Sequence, residues 1–226
     1  MTNSKQIVII VFSLILQLNL MSQEKLVYVG DPMCSWCYGF SNELHMVVNH
    51  IQKKADFELV MGGLRPYNTQ KMSELKSFLT EHWQHVNEAS GLEFNYSILN
   101  RDDIAYDTEP PSRAVLAVRK MKPELEFEFF KSVQKLFYSE NKNLNDANSY
   151  VELVASLGLD IEEFLKLYHS DKMKLMVKKD FERANDLNAR SFPTLLYYKD
   201  GKYTAVAIGY DSAENIIAKI KKVATE

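Results

Sequence analysis

Cys34 and Cys37 are the only cysteines of the 226-residue chain, with two residues between them in the stretch DPMCSWCYGF, Asp31 to Phe40. Thiols at that spacing can share a metal, close a disulfide, or trade electrons with other thiols. Zinc wants four ligands, and the sequence offers no second cysteine pair. The nearest imidazoles, His45 and His50, fall further along the segment that follows, pointing away from its start. A structural disulfide gains most by closing a long loop, and this pair closes the smallest useful one. Redox exchange is the chemistry the spacing serves best; a permanently closed disulfide and a metal half-site are the alternatives.

The elements around the pair have to position it. KLVYVG (Lys25 to Gly30) is short, β-branched and aromatic, bounded by Gly30 and Pro32, and reads as a buried strand. After the cysteines, Leu44, Val47, Val48 and Ile51 share one face of an amphipathic helix. DFELVMGG (Asp56 to Gly63) is a second strand. The opening is a βαβ unit with the cysteines at the helix N-terminus. There the unpaired N–H groups and the positive end of the helix dipole stabilise a thiolate at Cys34. Cys37, one turn further in, is the more buried resolving thiol.

Helical signals then run from Lys71 to Leu187, with segments expected at 71–89, 112–121, 124–139, 145–157, 161–169 and 172–187. FPTLLYYKDGKYTAVAIG (Phe192 to Gly209) reads as a hairpin around Asp200-Gly201. A last helix carries Ile216, Ile217, Ile220 and Val223 on its apolar face, with Asp211 or Ser212 as its cap. The order β-α-β, helical insert, β-β-α gives an α/β fold, a four-stranded mixed sheet with a large inserted all-helical domain. Its parts are residues 25–66 and 188–226 for the sheet domain and 67–187 for the insert.

Pro193 stands directly before a strand, where a proline can be cis or trans. It lacks an N–H, which leaves backbone beside it free to pair with an incoming peptide. Its neighbours Phe192 and Thr194, with Trp36, are candidate substrate contacts. Tyr38 and Phe40 fit either an apolar lip or the packing of the helix start. Arg65 and Arg113 fit structural positions better than a groove. His82 and His85 have a spacing that can hold a metal but no third ligand nearby.

Residues 1–22 differ in kind. Lys5 precedes the apolar block Ile7 to Leu16, the n-region and h-region of a secretory signal peptide; an uncleaved anchor is the alternative. The folded part is therefore expected in an exported compartment such as the bacterial periplasm. The net charge of −3 gives no basic footprint for nucleic acid.

DPMCSWCYGF, GGLRP (Gly62 to Pro66), DTEPPSRAV (Asp107 to Val115) and SFPTLL (Ser191 to Leu196) together resemble the DsbA-like thioredoxin-fold oxidoreductases, in particular the FrnE-like branch. The resemblance covers residues 25–226. It implies a thioredoxin fold with an inserted helical domain, Cys34 as attacking thiol, Cys37 as resolving thiol and Pro193 as a cis-proline facing them. It also implies action on cysteine-containing proteins with no cofactor, recharging by a further redox partner, and a monomer without a stable membrane partner. Thioredoxin and DsbA carry a buried acid six residues before the motif. Tyr28 stands there in this chain, and Asp31 is the nearest acid and a candidate proton relay. Ser35-Trp36 replaces the Gly-Pro of thioredoxin and the Pro-His of DsbA between the cysteines. The alternative on the same fold is a glutathione-linked enzyme like the kappa-class transferases or 2-hydroxychromene-2-carboxylate isomerases. Those carry a serine where Cys34 stands. A non-catalytic binding module with a closed disulfide is a third possibility.

Overall fold

A computed structural model describes residues 24–52 and 54–225; the leader expected over residues 1–22 lies outside them. β1 (Lys25–Gly30) pairs in parallel with β2 (Asp56–Met61), Lys25 opposite Asp56 and Gly30 opposite Met61. On its other side runs β3 (Thr194–Lys199), antiparallel, with Thr194 opposite Val29. β4 (Lys202–Ile208) closes the far edge antiparallel to β3. The order β2-β1-β3-β4 is the mixed sheet of a thioredoxin fold. In the hairpin turn Asp200 and Gly201 take φ of 50° and 84°, the left-handed pair that a two-residue turn requires and Asp-Gly supplies.

Side chains of β1 alternate between two cores, as the strand period of two demands. Leu26 and Tyr28 enter the larger one with Leu59, Met61, Leu195 and Tyr197. Val27 and Val29 face the other way, against Val60, Leu196, Ala184 and Ala189. With both faces covered, β1 is buried from Leu26 to Gly30 and carries no charge after Lys25.

Between β1 and β2 the chain forms α1 (Ser35–Gly39) and α2 (Ser41–Ile51), two helices interrupted at Phe40 where the periodicity suggests one. Between β2 and β3 come α3 (Lys76–Ser90), α4 (Glu109–Met121), α5 (Glu126–Tyr138), α6 (Val151–Ser156), α7 (Ile161–Tyr168) and α8 (Asp171–Asp186). The C-terminal α9 (Ala213–Thr225) packs beside α2. α4 starts at Glu109, ahead of the expected Ser112. Pro110 and Pro111 occupy its first turn, where an N–H has no helical acceptor and none is lost. Short 3-10 turns, Ser73–Leu75, Pro123–Leu125 and Ala147–Tyr150, open three of the helices. A further one, Tyr96–Asn100, falls where no periodicity announced it.

The outer edge of β2 is closed by side chains. Arg119 of α4 donates to the Leu59 carbonyl at 2.6 Å and pairs with Glu126 and Asp180, while Asp180 accepts the Met61 N–H at 3.0 Å. Two of the backbone groups that an edge strand would offer to another chain, the Leu59 carbonyl and the Met61 N–H, are thus occupied. Among the described residues no helix is long and apolar enough to cross a membrane.

Candidate active site

Asp31 to Cys34 make a tight turn. The Cys34 N–H donates to the Asp31 carbonyl at 3.1 Å, Pro32 sits at the second position where its fixed φ fits, and Asp31 Oδ1 accepts the Met33 N–H at 2.9 Å. The turn delivers Cys34 in extended conformation to the N-cap of α1, and the Tyr38 N–H closes back on its carbonyl at 3.0 Å. Cys37 follows one turn inside the helix. Both thiols are free; Cys34 is 5% exposed and Cys37 1%. Burial, then the neighbouring Cys34, push the Cys37 thiol above its usual range. The two sulfurs are close but unequal, Cys34 being the less deeply buried.

Across the sheet, the Phe192–Pro193 bond is cis, and the Cys34 thiol donates to the Phe192 carbonyl at 3.6 Å. This joins the two ends of the site through residues far apart in sequence. Of the backbone beside Pro193, its own carbonyl is already taken by the Gly209 N–H at 2.8 Å. The Phe192 ring lies over Gly62, where a Cβ would stand 2.4 Å from it. Glycine is what lets the GGLRP loop pass beneath that ring. Thr194 is buried and its hydroxyl donates to the Ser191 carbonyl at 2.7 Å, holding the loop.

Trp36 is half-buried. It meets His82 of α3 edge-on (centroids 6.1 Å) and tilts against Tyr210 (6.2 Å), and exposed Phe78 stacks on the far side of His82 (5.7 Å). An aromatic strip therefore leads outward from the cysteines, and His82 belongs to it. Desolvation, then His85, hold the His82 imidazole below its usual range and so uncharged at neutral pH. Tyr38 and Phe40 are core residues, Tyr38 bonding through its hydroxyl to Glu93 and Ser139. Arg65 bonds Gln70 and covers the Tyr106 ring, while Arg113 pairs with Glu109 at 3.1 Å over the Tyr168 ring.

Asp31 is fully buried. Its carboxylate accepts the Leu64 N–H at 2.7 Å and interacts with the Thr108 hydroxyl, yet burial outweighs these bonds and raises its pKa to about 6. Leu64 belongs to GGLRP and Thr108 to DTEPPS, so one carboxylate ties the two motifs to the cysteine turn. Arg65 and Thr108 complete the joint through 3.0 and 3.2 Å bonds. The sequence reading named these motifs without seeing that they meet here. It also missed Tyr106 and Tyr138, whose hydroxyls both donate to the Met33 carbonyl at 2.6 Å. Only their aromatic character could have marked them, and aromatics are common in this chain.

A family model described as Thioredoxin matches residues 27–214. The chain belongs to the thioredoxin family. Solved structures of the same fold superpose on it. A Nitrosomonas europaea protein described as a candidate protein disulfide isomerase superposes with a TM-score of 0.82 at 24% identity, covering 90% of this chain and 98% of that one. The cytosolic disulfide reductase DsbM of Pseudomonas aeruginosa gives 0.74 at 24% identity, covering 89% and 98%. A curated relative, the ClpXP adapter protein SpxH of Bacillus subtilis, is 23% identical over 197 residues, which span 83% of this chain and 64% of that protein. These likenesses share the thioredoxin fold; the work of each protein is its own.

Proposed function

We propose that the chain is a thiol–disulfide oxidoreductase that exchanges disulfides with cysteines of other, exported proteins through Cys34 and Cys37 facing cis-Pro193. The observation that carries this reading is the Cys34 thiol resting on the Phe192 carbonyl, with Cys37 behind it and both sulfurs free. In the reducing direction Cys34 thiolate attacks a substrate disulfide, one substrate sulfur leaves with the electron pair, and a mixed disulfide forms on Cys34. Cys37 then attacks Cys34, releasing the second substrate thiol and leaving the Cys34–Cys37 disulfide. In the oxidising direction the same steps run in reverse. No cofactor takes part, and a separate redox partner resets the pair. Phe192 and Trp36 flank the path of the substrate, Thr194 holds the loop that carries Pro193, and Asp31 is the acid that relays protons to the pair. The enzyme acts as a monomer.

Lys5 and the apolar block Ile7 to Leu16 support an exported compartment, where the oxidising direction is the useful one. DsbM is described as cytosolic, so the compartment is tested separately, by fractionating cells for the leaderless chain. The second reading is glutathione as the exchanging thiol. A DsbM structure described with GSH favours it, aligned at a TM-score of 0.72 and 21% identity. Insulin reduction and oxidation of reduced ribonuclease, measured for the wild type and Cys34→Ala, decide the main reading. It expects activity in the first and none in the second; equal activities would refute it.

A further inference from the structure

Of the six large apolar side chains exposed among the described residues, three adjoin the cysteine site. Leu64 donates its N–H to the Asp31 carboxylate at the start of the cysteine turn. Ile208 stands opposite Thr194, and the Gly209 N–H beside it donates to the Pro193 carbonyl. Phe78, 62% exposed on α3, ends the aromatic strip that starts at Trp36. A ring so exposed adds little to folding, and exposed apolar residues gathered beside a reactive group mark a binding surface.

The strip has an order. Trp36, between the two cysteines, meets the His82 ring edge-on at 87°, and His82 stacks on Phe78 at 15°. Tyr210 tilts against Trp36 as well, at 52°. Steps of 6.1 and 5.7 Å between ring centres carry the strip from Trp36 to Phe78, alongside about three residues of extended chain. We propose that Trp36, His82 and Phe78 form a specificity subsite that seats an aromatic side chain of the substrate polypeptide, within about three residues of the cysteine being exchanged. This rests on the thiol-exchange reading and names the substrate class of that site, an extended segment with an aromatic residue close to its cysteine. The incoming ring adds to the strip in the stacked or edge-on geometry that its own rings already use, and covers the part of Phe78 now left to water. Glutathione flanks its cysteine with carboxylates and carries no apolar side chain, so the strip gives it no advantage.

The test uses the full chain, reduced and freed of reductant, with two short peptides that differ in one residue near a single cysteine, phenylalanine in one and serine in the other. Each cysteine is activated as its mixed disulfide with thionitrobenzoate. Cys34 thiolate forms a bond to the peptide sulfur, the bond to thionitrobenzoate breaks, and that coloured thiolate leaves with the electron pair. Cys37 then forms the bond to Cys34 and the peptide leaves as a thiol, so the enzyme pair is oxidised and both halves of the probe are reduced. At low peptide concentration the phenylalanine peptide is expected to react about tenfold faster than the serine peptide. Phe78→Ala is expected to shrink that preference about fivefold, and Phe78→Trp to keep it. A wild type without the preference, or a folded Phe78→Ala protein that retains it in full, overturns the proposal. If the wild type reacts with neither peptide, the thiol-exchange reading fails. Titration of the same peptides, their cysteines methylated, against tryptophan fluorescence then judges the subsite by itself. About tenfold tighter binding of the phenylalanine peptide supports it, and equal affinities overturn it.

Discussion

Asp31 shapes the cysteine turn with its backbone and joins GGLRP and DTEPPS to it with its side chain. Its folded pKa, about 6, lies above the ordinary carboxyl value of 3.8 because burial disfavours the charge. A raised value means the native state holds the proton more tightly than the unfolded chain. The resulting stabilisation is full below about pH 4 and is lost as pH rises through about 6, on the order of 3 kcal/mol. Urea midpoints between pH 4 and 7 should show that loss, and a carbon-13 titration of Asp31 should inflect near 6. An inflection near 4 would contradict the burial argument. Gly62 gives a second residue-scale prediction. Gly62→Ala drives a methyl into the Phe192 ring, costing about 1–3 kcal/mol of stability by overpacking and displacing the carbonyl that meets Cys34. Denaturant unfolding reads the cost and insulin reduction reads the displacement. That Cys34, Cys37 and the Phe192–Pro193 segment come together was legible because the chain has only two cysteines and because a proline stands directly before a strand. Thr108, Tyr106 and Tyr138 were not, since ordinary residues become part of a site only once the fold gathers them.

Elements were legible where apolar residues repeat and where Gly or Pro punctuates. β1 and the hairpin came through from β-branched runs and Asp-Gly, and the helices from their apolar faces. What escaped were local departures: the break at Phe40, the 3-10 turns, and the start of α4, which falls at Glu109 ahead of the expected residue 112 with a proline pair inside its first turn. Sequence periodicity is blind to the β2 edge as well. Arg119 lies on α4 and Asp180 on α8, yet together they occupy the Leu59 carbonyl and the Met61 N–H. Arg119→Met removes the cation and strands two acids, Glu126 and Asp180, in a largely buried cluster. Breaking such a cluster from one side costs about 3–5 kcal/mol, which a urea titration would register. A change within 0.5 kcal/mol, roughly the range of surface substitutions, would mean that solvent already screens the cluster.

At the scale of the whole molecule, sheet and helical insert share one hydrophobic core. Tyr28 and Leu195 of the sheet belong to the same cluster as Trp83, Phe130, Phe137 and Phe164 of the insert. The boundaries drawn at residues 67 and 187 therefore divide the topology without dividing the packing. Unfolding is expected as a single transition, with far-ultraviolet and near-ultraviolet circular dichroism superposing; two separated transitions would give the insert an independent core. The same packing ties the insert to the cysteine turn, since the Met33 carbonyl before Cys34 accepts from both Tyr106 and Tyr138 of the insert. The most direct test of the account is to trap the exchange itself. Cys37→Ala, incubated with a disulfide-bonded protein such as insulin and analysed by non-reducing mass spectrometry, should accumulate a mixed disulfide on Cys34 that dithiothreitol removes. A folded variant that forms no adduct at Cys34 would contradict the assignment of this chain as a thiol–disulfide oxidoreductase.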